Sequence, residues 1–221
     1  MSKSNVLKVR GTKESSQRNS PPEVFPKTQI SNDRELRRFI KKWHRRDKNN
    51  HFMTPKWLVD FIKFVFPIEL DAASSFEANT INEFPRIFTK SDDALEQSWK
   101  VQRGNGVFIN PPYVGGVGLM GWAKKVVSEF ENHNQPIFVL VPARTPESGW
   151  FRLYFHHATH VVFLKKRLKH NELINDKPAN FPSALIIFGG NQLGDRLSYL
   201  SELGECVETA NFRKQKEKSA A

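Results

Sequence analysis

From Thr54 onward, short apolar runs alternate with segments of helical periodicity, and two of those runs stop at a polar residue, Asp71 and Asn110. This alternation constrains the fold more than any other feature. A strand that is followed by a helix and then another strand returns to pair in parallel, so the repeated pattern predicts an α/β fold. The helix beginning at Thr54-Pro55 has Trp57, Leu58, Phe61, Ile62 and Val65 on its apolar face. Strands are predicted at 68–70, closing at Asp71, and at 86–89, 106–109, 136–141, 160–164 and 184–188. Helices are predicted near 77–84, 121–131 and 149–156, and a loop over 165–180. The expected architecture is a mostly parallel twisted sheet with flanking helices and no internal repeat.

Outside this region the composition changes. The chain has 221 residues and a net charge of +11, and residues 1–50 alone hold 14 Lys/Arg against 5 Asp/Glu. Residues 1–30 read as a disordered basic tail, 31–50 as a basic amphipathic arm, 51–206 as the folded domain and 207–221 as a charged tail. In the arm, Ser31-Asn32-Asp33 can cap a helix with Leu36, Phe39, Ile40 and Trp43 on one face. Arg34, Arg37, Arg38, Lys41, Lys42, Arg45 and Arg46 lie on the other. A basic arm on a nearly neutral domain fits a polyanion, with nucleic acid the default; the plainer reading is a solvated surface helix. One cysteine, Cys206, excludes an intrachain disulfide framework and points to a reducing cytoplasm. The seven histidines lack metal-ligand spacing, so no metal is expected. No stretch is long and apolar enough for a membrane span or a signal peptide.

The run Gly106-Val107-Phe108-Ile109 leads into Asn110-Pro111-Pro112-Tyr113. This arrangement suits methyl transfer to a conjugated amino nitrogen. The lone pair of such a nitrogen is delocalised into its ring, so it is a poor nucleophile. Two acceptors aimed at its hydrogens hold it and draw it toward a tetrahedral shape. The Asn110 side-chain oxygen supplies one acceptor and the Pro111 carbonyl the other. Consecutive prolines preset the direction of that carbonyl. Tyr113 offers a ring face on which a flat base can stack. A sulfonium donor carries an electrophilic methyl group without a general base, so catalysis is mainly alignment. The plainer reading of Pro-Pro after a strand is a loop.

Ligands of open α/β sheets bind beyond the carboxyl ends of the strands. Asp71 closes one strand and is followed by the small residues Ala72, Ala73, Ser74 and Ser75, which let a ligand approach the backbone. Its carboxylate suits a cationic amino group. Asp92 and Asp93 follow the next strand and suit ribose hydroxyls or an adenine amino group. Acids at strand ends also cap helices, and Thr54-Pro55 also reads as an ordinary helix start, with Thr as cap and Pro in the first turn.

The sequence resembles the phage-type DNA N6-adenine methyltransferases, Dam-like enzymes of phages and prophages. The residues that carry the resemblance include Thr54-Pro55-Lys56-Trp57, Leu70-Asp71-Ala72-Ala73, Asn79, Asp93-Ala94-Leu95 with Trp99, and Val107 to Tyr113. Further along they include Trp122, Val141-Pro142-Ala143-Arg144-Thr145 with Trp150-Phe151, Arg167-Leu168-Lys169 and Pro182 to Phe188. The resemblance covers about residues 53–190. It implies a Rossmann-like methyltransferase fold that uses S-adenosylmethionine on double-stranded DNA. By the same resemblance, Thr54 would lie near the donor's carboxylate and Asp71 near its amino group, with Pro55, Ala72 and Asn110 also among the donor-binding residues. Asp92 or Asp93 would touch its adenosine, and Asn110 to Tyr113 would hold the target adenine. Where the family has an aromatic residue after Arg-Leu-Lys, this chain has His170.

A base paired inside duplex DNA must leave the stack to react. Arg144, Lys165, Lys166, Arg167 and Lys169 flank the expected cleft as phosphate binders, together with the basic arm. Phe181, before Pro182, is either a second wall of the base pocket or a core residue. Three other readings compete. Gly116-Val117-Gly118-Leu119-Met120-Gly121 has the spacing of a dinucleotide-binding loop but does not directly follow a strand, so a glycine-rich lid fits it better. The same Asn-Pro-Pro-Tyr chemistry also serves adenine in RNA or glutamine in protein. A non-catalytic DNA-binding protein on this scaffold would not need Asn110 and Tyr113 together.

Overall fold

The structure, a computed structural model, describes residues 53–143, 147–170 and 178–209. The tail, the basic arm with Arg37, Arg38, Lys41, Lys42, Arg45 and Arg46, and Arg144 lie outside the described residues.

Helix α1 (Lys56–Val65) precedes β1 (Ile68–Asp71), which is followed by α2 (Phe76–Asn82) and β2 (Arg86–Ile87). Then come β3 (Gly106–Ile109), α3 (Gly118–His133), β4 (Ile137–Pro142), α4 (Gly149–His157) and β5 (His160–Leu164). After β6 (Ser183–Phe188), two 3-10 segments (Gly190–Gln192 and Gly194–Glu202) lead to β7 (Gly204–Glu208). The seven strands form one sheet in the order β2-β1-β3-β4-β6-β5-β7. β2, β1, β3 and β4 pair in parallel. β6 runs antiparallel to both β4 and β5, and β7 antiparallel to β5. The expected mostly parallel sheet is therefore mixed, parallel through β4 and antiparallel beyond it. β6 follows β5 in the chain and pairs directly with it, so it returns in the opposite direction.

Strict alternation along the central strands builds two cores. Ile137, Val139 and Val141 of β4 face α3 and α4, where Ala123, Val126, Phe151 and Tyr154 are buried against them. Phe138 and Leu140 face the opposite side, with Leu58, Val59 and Ile62 of α1 and Leu193, Leu200 and Leu203 after β6. Burial on both faces explains the unbroken apolar runs of β3, β4 and β6.

Three details differ from the sequence pattern. Trp57 is 47% exposed and Val59 takes an inward position on α1. The residues after β6 form 3-10 segments and an edge strand. β7 ends at Glu208 and Thr209 is buried, so regular structure continues just past the point where the charged tail was expected to begin.

Candidate active site

Because β1, β2, β3 and β4 point the same way, their carboxyl ends share one edge of the sheet. Asp71 is in register with Phe108, which puts the end of β1 beside the end of β3, two residues before Asn110. The pairing continues past the strands: Ala72 N–H donates to Phe108 O at 2.9 Å, and Ser74 N–H to Phe88 O at 2.8 Å. The small residues after Asp71 permit this close backbone packing.

Asp71 is only 4% exposed. Its Oδ1 accepts from Ala73 N–H at 3.2 Å. Burial raises its pKa to about 6, partly offset by hydrogen bonds from Ala73 and Ser74 and by the Lys63 charge. A buried carboxylate held near neutrality by desolvation gains strongly from a cationic ligand, whose charge replaces the lost hydration.

Asn110 is the centre of a three-residue arrangement. Its Nδ2 donates to Thr54 Oγ1 at 3.1 Å, and its Oδ1 accepts from the Tyr113 hydroxyl at 2.8 Å. The first bond crosses 56 positions of sequence. It also settles the local role of Thr54. Lys56 is the first helical residue, Pro55 precedes it, and no side chain caps α1. The Thr54 hydroxyl turns instead to the Asn110 amide and orients it, with Thr54 itself buried. Pro111 is buried and Pro112 exposed.

Tyr113 meets Phe181 edge-on, with ring centroids 5.7 Å apart. Phe181 is 3% exposed, so it lies inside the protein and not on a phosphate-binding surface. Its burial matches the core reading, and it borders Tyr113. Behind it stands His170, 6.0 Å away centroid to centroid. His170 Nδ1 lies 3.2 Å from Met53 O, next to Thr54. Burial lowers the pKa of His170, offset in part by that carbonyl. His170 thus places a planar, largely buried ring where the family pattern has an aromatic residue. Its contact with Met53 joins the loop after β5 to the start of α1. Sequence reasoning left this position without a role; the signal available was that histidine retains a flat ring.

The two acids after β2 are distinguished by their contacts. Asp92 Oδ2 accepts from both the backbone N–H and the hydroxyl of Thr89 at 2.7 Å, which holds its carboxylate below the usual range. Asp92 therefore closes a turn. Asp93 sits at φ 49, in the left-handed region, and its Oδ1 lies 3.4 Å from Leu95 N. Both are exposed. The segment after them is pinned by Trp99, whose indole donates to Ala94 O at 2.8 Å and whose backbone N–H donates to buried Glu129 at 2.8 Å.

Lys165, Lys166, Arg167 and Lys169 are exposed after the carboxyl end of β5, and Leu168 between them is buried. Since β5 runs in the same direction as β4, these cations emerge at the edge that carries Asn110. Among the described residues, no group of three or more His, Cys, Asp or Glu is placed to hold a metal ion. No helix among them is long and apolar enough to cross a membrane.

A buried acid at the end of one strand and an oriented Asn-Pro-Pro-Tyr at the end of its neighbour thus share one edge of the sheet. A family model described as DNA N-6-adenine-methyltransferase (Dam) matches residues 42–203. The chain belongs to this Dam family. The match takes in β1 to β6, both 3-10 segments and every strand-end residue described above. It also reaches ten residues upstream of Phe52, into the basic arm. No curated protein matches the chain at a significant level.

Proposed function

We propose that this protein transfers a methyl group from S-adenosylmethionine to the N6 amino group of adenine in double-stranded DNA, with the adenine turned out of the duplex into a pocket at Asn110–Tyr113. The observation that carries the proposal is the orientation of the Asn110 amide. With its Nδ2 donating to Thr54, its Oδ1 is fixed as an acceptor at the carboxyl edge of the sheet, where it takes the Tyr113 hydroxyl hydrogen. A carbonyl oxygen has two lone pairs, so the same atom would also accept an adenine N6–H.

The residues fit the donor. Asp71 offers a buried carboxylate that a cationic amino group would stabilise, and Ala72 and Ala73 leave the adjoining backbone approachable. Thr54 and Pro55 lie at the same end, and Asp93, with its less engaged carboxylate, suits the donor's adenosine better than Asp92 does. When bound, the donor supplies the electrophilic methyl group. The chain's own work is alignment. Asn110 Oδ1 and Pro111 O hold the two amino hydrogens, which localises the nitrogen lone pair, and Tyr113 stacks on the base with Phe181 at its edge. No step needs a general base, because the amino nitrogen becomes acidic as the methyl bond forms. The cations after β5 and the basic arm supply phosphate contacts.

Asn110→Ala removes one of the two acceptors and leaves the Asp71 end untouched. Methyl transfer should fall by at least about a hundredfold while donor binding, read by titration calorimetry, stays near the parental value. Parental activity in this variant would contradict the proposal.

A further inference from the structure

We propose that Val114 and Val117, on the turn between Tyr113 and α3, form an apolar wedge that enters the DNA base stack and takes the space left by the extruded adenine. The proposal rests on the flipped-base reading given above. Extrusion unstacks the neighbours of the target base and opens a gap that apolar side chains fill better than polar ones.

The turn reads Val114-Gly115-Gly116-Val117-Gly118, so the two valines are its only side chains beyond hydrogen. They are 59% and 51% exposed, and they follow Tyr113 directly in the chain. Gly115, Gly116 and Gly118 adopt φ of 82, 52 and 61, a region that side chains disfavour. Among the described residues, no atom beyond the chain neighbours lies within 4 Å of where a Cβ would stand on any of the three. The turn therefore stands clear of the other described residues at the site's edge.

It is also held in place. Gly118 N–H donates to Gly115 O at 3.0 Å, and Gly121 N–H to Val117 O at 3.3 Å. The Val117 side chain lies over Gly121, where a Cβ would come within 2.4 Å of Val117 Cβ. Val117 is thus seated at the start of α3, a helix packed against the sheet. Valine has a stiff χ1, so insertion sacrifices little side-chain freedom. More than half of each valine stays exposed in the free protein, and beside a base pocket stacked bases are an apolar partner for that surface. Met120 is set apart from the pair, because its Cε approaches Gly149 at the start of α4.

The test uses the full chain and two duplexes that differ at one position. In one, the target adenine is paired with thymine; in the other it faces an abasic site, so extrusion needs no wedge. For Val114→Ser/Val117→Ser, methylation of the paired duplex should drop at least about tenfold, and that of the abasic-opposed duplex less than about threefold. With 2-aminopurine in place of the target adenine, the parent should brighten on binding the paired duplex and the double variant should not. Val114→Leu/Val117→Leu, which keeps apolar bulk, should retain the paired-duplex rate within about threefold. Equal losses on both duplexes, or no loss on either, would overturn the wedge while leaving the methyltransferase reading intact. Failure of the parent to methylate either duplex would overturn both.

Discussion

The two halves of the sheet do different work. In β2-β1-β3-β4 every strand runs the same way, so consecutive crossovers deliver Asp92/Asp93, Asp71 and Asn110 to one edge. In β6-β5-β7 direction alternates, and that edge carries the basic residues after β5 and Phe181 just before β6. The parallel half can thus hold small ligands by strand ends, and the antiparallel half supplies a wall and a charged rim. On the proposed reading, the reacting groups stand on strand ends and the DNA contacts on segments that vary at little cost to the fold.

The largest expected contrast lies within the antiparallel half, between its wall at the site and its core on the other face, and comes from two buried side chains. Phe181→Ala should destabilise the fold by about 3–5 kcal/mol and also lower the methylation rate of the remaining folded protein, because Tyr113 loses its edge partner. Leu200→Ala, in the 3-10 segment against the opposite core, should cost about 2–5 kcal/mol but leave kcat of folded protein unchanged. Thermal melts and rates measured well below the transition separate the two. Equal effects on kcat would erase the proposed division of labour.

A smaller effect is expected at the donor end. Asp71→Asn keeps the shape and removes the charge, so donor affinity should fall by about 2 kcal/mol, roughly thirtyfold in Kd. The pH dependence has a definite sign. Burial lifts the Asp71 pKa to about 6, so the carboxylate is increasingly protonated below that pH and donor affinity should decline as pH falls through it. In the free protein the same shift makes stability highest below the ordinary aspartate range and lowers it as pH rises toward 6. Both trends should flatten in Asp71→Asn, and their persistence would assign them to another group. The smallest effect is at the rim. Replacing Lys165, Lys166 and Arg167 together with Ala should weaken DNA binding and reduce the salt slope by up to about 3, one phosphate per cation at most.

Legibility in the sequence followed burial. β3, β4 and β6 are buried on both faces and appear as unbroken apolar runs. β7 reads Gly-Glu-Cys-Val-Glu, is half exposed at the sheet edge, and carries no such signal. The site divides in the same way. Asp71 and Asn110 were legible because a polar residue closing an apolar run marks a strand end. The bond from Asn110 to Thr54 and the approach of His170 to Met53 were not, since they join positions 56 and 117 residues apart and exist only once α1 docks on the sheet. Periodicity placed Trp57 inward, but α1 turns by enough to bury Val59 in its stead. Rotation of a helix about its axis is set by what it packs against, and a single helix pattern does not contain that.

The most direct test of the central claim is transfer of labelled methyl from S-adenosylmethionine to unmethylated duplex DNA, followed by nucleoside analysis of the digest. The account predicts label in N6-methyladenine. Label absent from DNA, with donor binding still measurable, would contradict it and point to RNA or protein as the methyl acceptor.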